Sequence, residues 1–210
     1  MIQEIYILDL IGTFAFSIYG SYFALNRNFN IFWIFISAFL TAMGGWTIRE
    51  LFLNNIPFYF FDTNYIIAII SGIFITIFIY KNFYKIEPFV LFFDSIGLVT
   101  FSFIGASKAD SLGLGLFAII FFATLTAVGG GIIRDILLNQ ISKILYYDSY
   151  ASIAILLGIC YRFFEEKMEH IFWVNLLIIT CLVIRLFIVY YKVNLWLPIN
   201  YQQKLDLDNE

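Results

Sequence analysis

Charge is what this sequence has least of: only 13% of its 210 residues are Asp, Glu, Lys or Arg, against 62% hydrophobic ones. A soluble domain carries about 25% charged residues, so a chain this apolar cannot cover its surface for water, and a bilayer is its natural solvent. There is one histidine, His170, which leaves little room for a zinc or haem site. The two cysteines, Cys160 and Cys181, lie inside apolar runs and read as small buried hydrophobes rather than a disulfide or metal pair. The net charge is −3 and there is no basic patch, so nucleic acid is excluded as a partner. Phosphate-binding loops, His-Glu-x-x-His and Gly-x-Ser-x-Gly are missing too, so neither an enzyme nor an ATP-driven pump is expected, and no cofactor or metal is called for. The start of the chain has no basic segment and carries Glu4 and Asp9, which does not fit a cleaved signal peptide.

What remains is a succession of apolar stretches separated by short polar connections, with a mean hydropathy of +0.89. A helix needs about 20 apolar residues to cross the hydrocarbon core. Seven stretches approach that length: 5–25, 31–54, 65–80, 88–109, 114–139, 150–164 and 171–192. With the N-terminus outside, short inner segments hold Arg27, Lys81, Lys85, Lys143, Lys192 and Lys204, while outer ones hold Lys108, Arg162 and Lys167. That bias predicts an N-out, C-in orientation. Arg185, Trp196 and Tyr201 read as interfacial anchors, and an acidic tail closes the chain.

The strongest feature is an internal repeat at a constant offset of 85 residues. Asp9-Leu-Ile-Gly12 returns as Asp94-Ser-Ile-Gly97, and Thr41-Ala-Met-Gly44-Gly45-Trp46-Thr-Ile-Arg49-Glu50 returns as Thr126-Ala-Val-Gly129-Gly130-Gly131-Ile-Ile-Arg134-Asp135. Residues 9–57 and 94–142 share 20 identities in 49 positions without a gap. Shared apolar composition would align Ile and Leu; it would not align Asp, Arg and paired glycines. Each copy holds three spans, so the second enters the membrane from the opposite side. The expected fold is an all-α integral membrane protein, with seven transmembrane helices arranged as two inverted three-helix repeats plus one C-terminal helix. The corresponding divisions are 1–83, 84–168, 169–195 for the seventh helix and 196–210 for a cytoplasmic tail. Inverted repeats are typical of transporters, whose sites lie at midplane between the halves.

Candidate path residues follow from the repeated motifs. Adjacent glycines cost about 1 kcal/mol each in a helix relative to alanine. Gly44 and Gly45, and Gly129, Gly130 and Gly131, are therefore expected to kink or unwind their spans and expose carbonyls to water; close helix packing is the plainer alternative. Thr41 and Thr126 are placed to bond freed carbonyls. Asp9, Arg49, Glu50, Asp94, Arg134 and Asp135 are costly inside a membrane and must face a partner or the interior. Asp9 and Arg49 sit about 9 Å off the midplane on one side, Asp94 and Arg134 on the other, so Asp9–Arg49 and Asp94–Arg134 proximity is expected, whether as pore elements or as structural pairs. Four acids and two arginines leave −2 within the spans, a balance that concentrates cations; the arginines also suit a carboxylate, as in an amino-acid site. Ser17, Ser21, Ser102 and Ser107 read as helix-packing positions.

These motifs, together with Arg185-Leu-Phe and Leu195-Trp-Leu-Pro198-Ile-Asn-Tyr201, resemble the bacterial family formerly called UPF0126, which is related to the trimeric intracellular cation (TRIC) channels and whose repeat unit is also labelled a glycine transporter domain. The resemblance covers nearly the whole chain. It implies a homotrimer in the bacterial inner membrane, surrounded by lipid. Each protomer would carry a hydrophilic path lined by helices one, two, four and five, with kinks near residues 44–45 and 129–131. The function it implies is passage of a small monovalent cation, potassium first, or carriage of glycine or a similar small amino acid. Trp46 stands where the family usually has a third glycine, and is expected to narrow the path or stiffen the second helix.

Overall fold

The computed structural model describes residues 2–82, 87–139, 149–168 and 170–191. Seven helices follow in order: α1 (Ile2–Leu25), α2 (Ile31–Phe52), α3 (Asn64–Asn82), α4 (Glu87–Ser111), α5 (Leu116–Leu137), α6 (Ser149–Phe163) and α7 (Ile171–Tyr191). Six are long and apolar enough to cross a membrane; α6 is shorter. There is no strand among the described residues. Lys85, Lys143, Lys192, Lys204, Trp196, Tyr201 and the 196–210 tail lie outside them.

Local sequence sets where the helices begin and end. The Asn30 side chain accepts a hydrogen bond from the Trp33 backbone N–H at 3.1 Å, satisfying one of the free donors that start α2. The chain turns with positive φ at Asn28 and Gly113, after α1 and α4, and at Asn54 and Asn139, after α2 and α5. Asn and Gly tolerate this left-handed backbone best. Both pairs are 85 residues apart, so the repeat extends to its turns.

α1 and α4 form the centre: α1 packs against α2, α3 and α4, and α4 against α5, α6 and α7, while α2 meets α5 across the middle. The relation between the halves can be read from reciprocal contacts. Gly45 lies against the Thr126 carbonyl, and Gly130 against the Thr41 carbonyl. Thr126 is the counterpart of Thr41, and Gly130 of Gly45. Advancing along α2 from 41 to 45 therefore means retreating along α5 from 130 to 126, so these helices run antiparallel. Gly12 and Gly97 do the same between α1 and α4, each meeting the other repeat's phenylalanine, Phe101 and Phe16 respectively. Those two phenylalanines, themselves counterparts, meet ring to ring at 5.1 Å, as residues on a two-fold axis must. The repeats are thus inverted.

The glycine clusters do not unwind their helices. α2 and α5 are continuous through Gly44–Gly45 and Gly129–Gly131. A Cβ on Gly44 would come within 2.8 Å of the Gly130 Cα, and one on Gly129 within 3.2 Å of the Gly45 Cα. The missing side chains let two backbones touch, which is the packing use of small residues in membranes. The outer faces of α3 and α7 expose Ile67, Phe74 and Phe78, and Ile179, Val183 and Phe187, as lipid-facing stripes.

Candidate permeation path

Ser17, Ser21, Thr41, Ser102 and Thr126 are buried between the central helices and donate to carbonyls of their own helix, so none is left unpaired in an apolar surround. Thr41 and Thr126 bond the ordinary carbonyls four residues back, at 2.7 Å, rather than carbonyls released by unwinding. Ser37 donates to the Gly20 carbonyl at 2.7 Å and ties α2 to α1.

All six expected charged residues are buried: Asp9, Arg49, Glu50, Asp94, Arg134 and Asp135. They gather at two opposite ends of the bundle, because the helices carrying them are antiparallel. At the first end, Arg49 donates from Nε and Nη2 to Glu50 Oε1, at 2.9 and 2.6 Å. Its guanidinium carbon lies 3.8 Å over the Trp46 ring. Asp9 accepts from Trp46 Nε1 at 3.0 Å and from the Tyr65 hydroxyl at 2.7 Å. Asp9 and Arg49 are near enough to feel each other's charge, as expected, but they do not touch; Trp46 stands between, bonding the acid with its N–H and the cation with its face. An indole buried in apolar surroundings needs an acceptor for its N–H, and Asp9 is that acceptor.

At the second end, Arg134 donates from Nε and Nη2 to Asp135 Oδ1, at 2.9 and 2.7 Å, and from Nη1 to Thr41 at 3.3 Å. Asp94 lies 3.8 Å from Arg185 of α7. Arg185 is therefore no interfacial anchor. It is 5% exposed and serves as counterion to a buried acid. Its position inside an apolar run, six residues before the end of α7, was the available signal. Counting it, the buried charge among these groups is −1 rather than −2.

The ends differ in how they close. At the second, the Phe23 ring lies 4.0 Å from the Arg134 guanidinium carbon and 3.7 Å from that of Arg27. Two guanidinium groups this close fit only on opposite faces, so Arg27, Phe23 and Arg134 form a stack, with Tyr19 5.2 Å from Arg134 on the inner side. Burial, with Arg134 nearby, pulls the Arg27 guanidinium below its ordinary pKa. At the first end lies a cavity of about 560 Å³, bounded by Trp46, Arg49, Glu50, Phe58, Ile104 and Lys108 among others. Sequence reasoning missed Tyr19, Phe23 and Tyr65, because aromatics are too frequent here for any one to stand out.

A family model described as Glycine transporter matches residues 6–81 and again 91–166, the two inverted copies just described. The chain belongs to this family. Among the family's UPF0126 proteins, one from Deinococcus radiodurans is 33% identical over 66% of this chain and 65% of its own length, so the chain spans slightly under two thirds of it. The UPF0126 inner membrane protein YadS of Escherichia coli K12 is 32% identical over 74% of this chain and 76% of its own. The fold is also that of a prokaryotic TRIC channel crystallised in 0.5 M KCl, at a TM-score of 0.84 and 29% identity, covering 93% of this chain and all of that one. The TRIC trimeric intracellular cation channel orthologue from Rhodobacter sphaeroides superposes at 0.81 with 25% identity, over 90% of this chain and 98% of that one. This member of the family is a multi-pass integral membrane protein, like its bacterial inner-membrane relatives.

Proposed function

We propose that the protein is a membrane channel for small monovalent cations, potassium foremost, with a path inside each protomer running between α1, α2, α4 and α5. The observation that carries this reading is the placement of Asp9, Glu50, Asp94 and Asp135 in the two-fold core, one acid in excess of the buried arginines. Such a balance favours cations in a narrow passage. The path residues are those of the repeated motif: Asp9, Thr41, Gly44, Gly45, Arg49, Glu50 and their counterparts Asp94, Thr126, Gly129, Gly130, Arg134 and Asp135, with Gly131. Likeness to cation channels of known structure supports the same reading, and the trimeric channel among them supports assembly of three copies. The orientation is N-terminus out, C-terminus in, with functional divisions at 1–83, 84–168 and 169–195.

A second reading, carriage of glycine or a similar amino acid, is favoured by the family description and by buried arginines suited to a carboxylate. Reconstituted vesicles separate the two. Potassium efflux driven by valinomycin-independent leak, with no saturable uptake of labelled glycine, is the expected result. Saturable glycine uptake without potassium flux would replace the first reading by the second.

A further inference from the structure

The cavity at the Arg49 end has features that a cation path alone does not use. Arg49 is 1% exposed, and two of its three nitrogens are engaged by Glu50. The third, Nη1, is buried and has no hydrogen-bond partner among the described residues. A buried charged donor left without an acceptor is costly, and native structures seldom leave one so. Arg49 belongs to the cavity wall, and so does Lys108 of α4. The charged groups of the wall are Arg49, Lys108 and Glu50, which sum to +1. The remaining wall is largely apolar, with Ile56, Phe58 and Ile104 prominent. Trp46 holds the guanidinium in place from below by its ring face.

We infer that this cavity binds a small organic monocarboxylate, its carboxylate accepting from Arg49 Nη1 and the Lys108 ammonium and its hydrocarbon body lying against Ile56, Phe58 and Ile104. The single positive charge of the wall matches a single negative one. A phosphate dianion would bring a second charge towards Glu50. An inorganic anion could use Asn55, Ser107 and Ser111 of the wall but would leave Ile56, Phe58 and Ile104 uncovered, and an alkylammonium would meet two cations. The site is particular to this repeat. The counterparts of Lys108 and Trp46 are Phe23 and Gly131, and at the other end Nη1 of Arg134 is already engaged by Thr41. The inference stands apart from the cation reading: it concerns equilibrium binding at one mouth, not what crosses.

The test is calorimetric titration of the full-length protein in detergent micelles with butyrate, at constant ionic strength, with inorganic phosphate, butylammonium and glycine as parallel arms. Saturable butyrate binding, absent with phosphate and butylammonium, is expected. Lys108→Gln should weaken it about tenfold, the worth of one charged hydrogen bond, with circular dichroism and elution volume unchanged. Ser71→Ala, on α3 and outside the cavity wall, should leave affinity within about twofold. No saturable butyrate heat, equal affinity in Lys108→Gln, or tighter binding of phosphate or glycine would each overturn the assignment. Potassium flux, present or absent, would not.

Discussion

At the Arg134 end an arginine is packed between aromatic rings and a threonine, with a second guanidinium closing the stack from outside; at the Arg49 end the same repeated Arg-acid motif borders a cavity. The backbones around both are counterparts, and the difference lies in a few side chains. Where α1 and the turn after it supply Tyr19, Phe23 and Arg27, α4 and the turn after it supply Ile104, Lys108 and Leu112 at the matching positions. Where α2 has Trp46, α5 has Gly131. The inverted repeat thus holds the core to two-fold symmetry, through glycines that admit no side chain, and leaves the mouths free to diverge. Among the described residues, one mouth carries the Arg27–Phe23–Arg134 stack, and the other is braced from within its own helix by Trp46.

The largest expected effect breaks what the two halves share. Gly45→Ala and Gly130→Ala should each destabilise the protein by roughly 3 kcal/mol, because each places a methyl group against a rigid backbone carbonyl of the facing helix. Unfolding in mild detergent followed by circular dichroism should show similar losses for both; a large loss for one alone would deny the symmetry of the core. Next come the arginines. Arg134→Ala strands Asp135 in dry packing and should cost about 3 kcal/mol or more. Arg49→Ala strands Glu50 beside a cavity that water can enter, and should cost visibly less in the same measurement. Equal costs would mean that the two ends are equally closed.

Conduction sharpens the contrast further. Phe23→Ala removes the centre of the Arg27–Phe23–Arg134 stack and should raise unitary conductance several-fold in bilayer recordings. Trp46→Gly, which restores the residue found at position 131, should raise it less, because that mouth is already open. The smallest effect concerns the half-buried Tyr6–Asp62 contact, which has no described counterpart in the second repeat. The Tyr6 hydroxyl donates to Asp62 at 2.6 Å and, with the Asn64 backbone N–H, holds the Asp62 carboxyl below the usual carboxylate range. Its contribution is therefore present above the unfolded carboxylate pKa and lost as pH falls through the lower folded value. Acid titration of the unfolding midpoint should show a small decline in that window, missing in Tyr6→Phe.

Much of this architecture was legible in the sequence. Apolar length located the helices, and α1, α2 and α7 begin or end within a few residues of the expected bounds. The 85-residue offset located the inversion, since three spans per copy reverse the entry side whatever the side chains do. Burial of Asp9, Asp94, Arg49 and Arg134 followed from the motif as well. Their partners did not. Pairing within a bundle depends on how each side chain rotates about its helix, and an arginine is long enough to fold back on the next residue, although neighbours at i and i+1 point apart. That is why Arg49 takes Glu50 rather than Asp9. Arg185 was misplaced because α7 lies outside the repeat and nothing in the pattern fixes which helix it docks on. Trp46 was read by its bulk alone, whereas its N–H and its ring face are what link Asp9 to Arg49. The glycines were read by their cost to an isolated helix, and the facing backbone that repays this cost is not visible in one strand of sequence.

On the function proposed above, the acids of the two-fold core select cations along a path within the protomer. Reversal potential in a planar bilayer under a KCl gradient tests it most directly. Reversal should lie close to the potassium equilibrium potential and move toward zero in Asp9→Asn and Asp94→Asn. Reversal at the chloride equilibrium potential would contradict it.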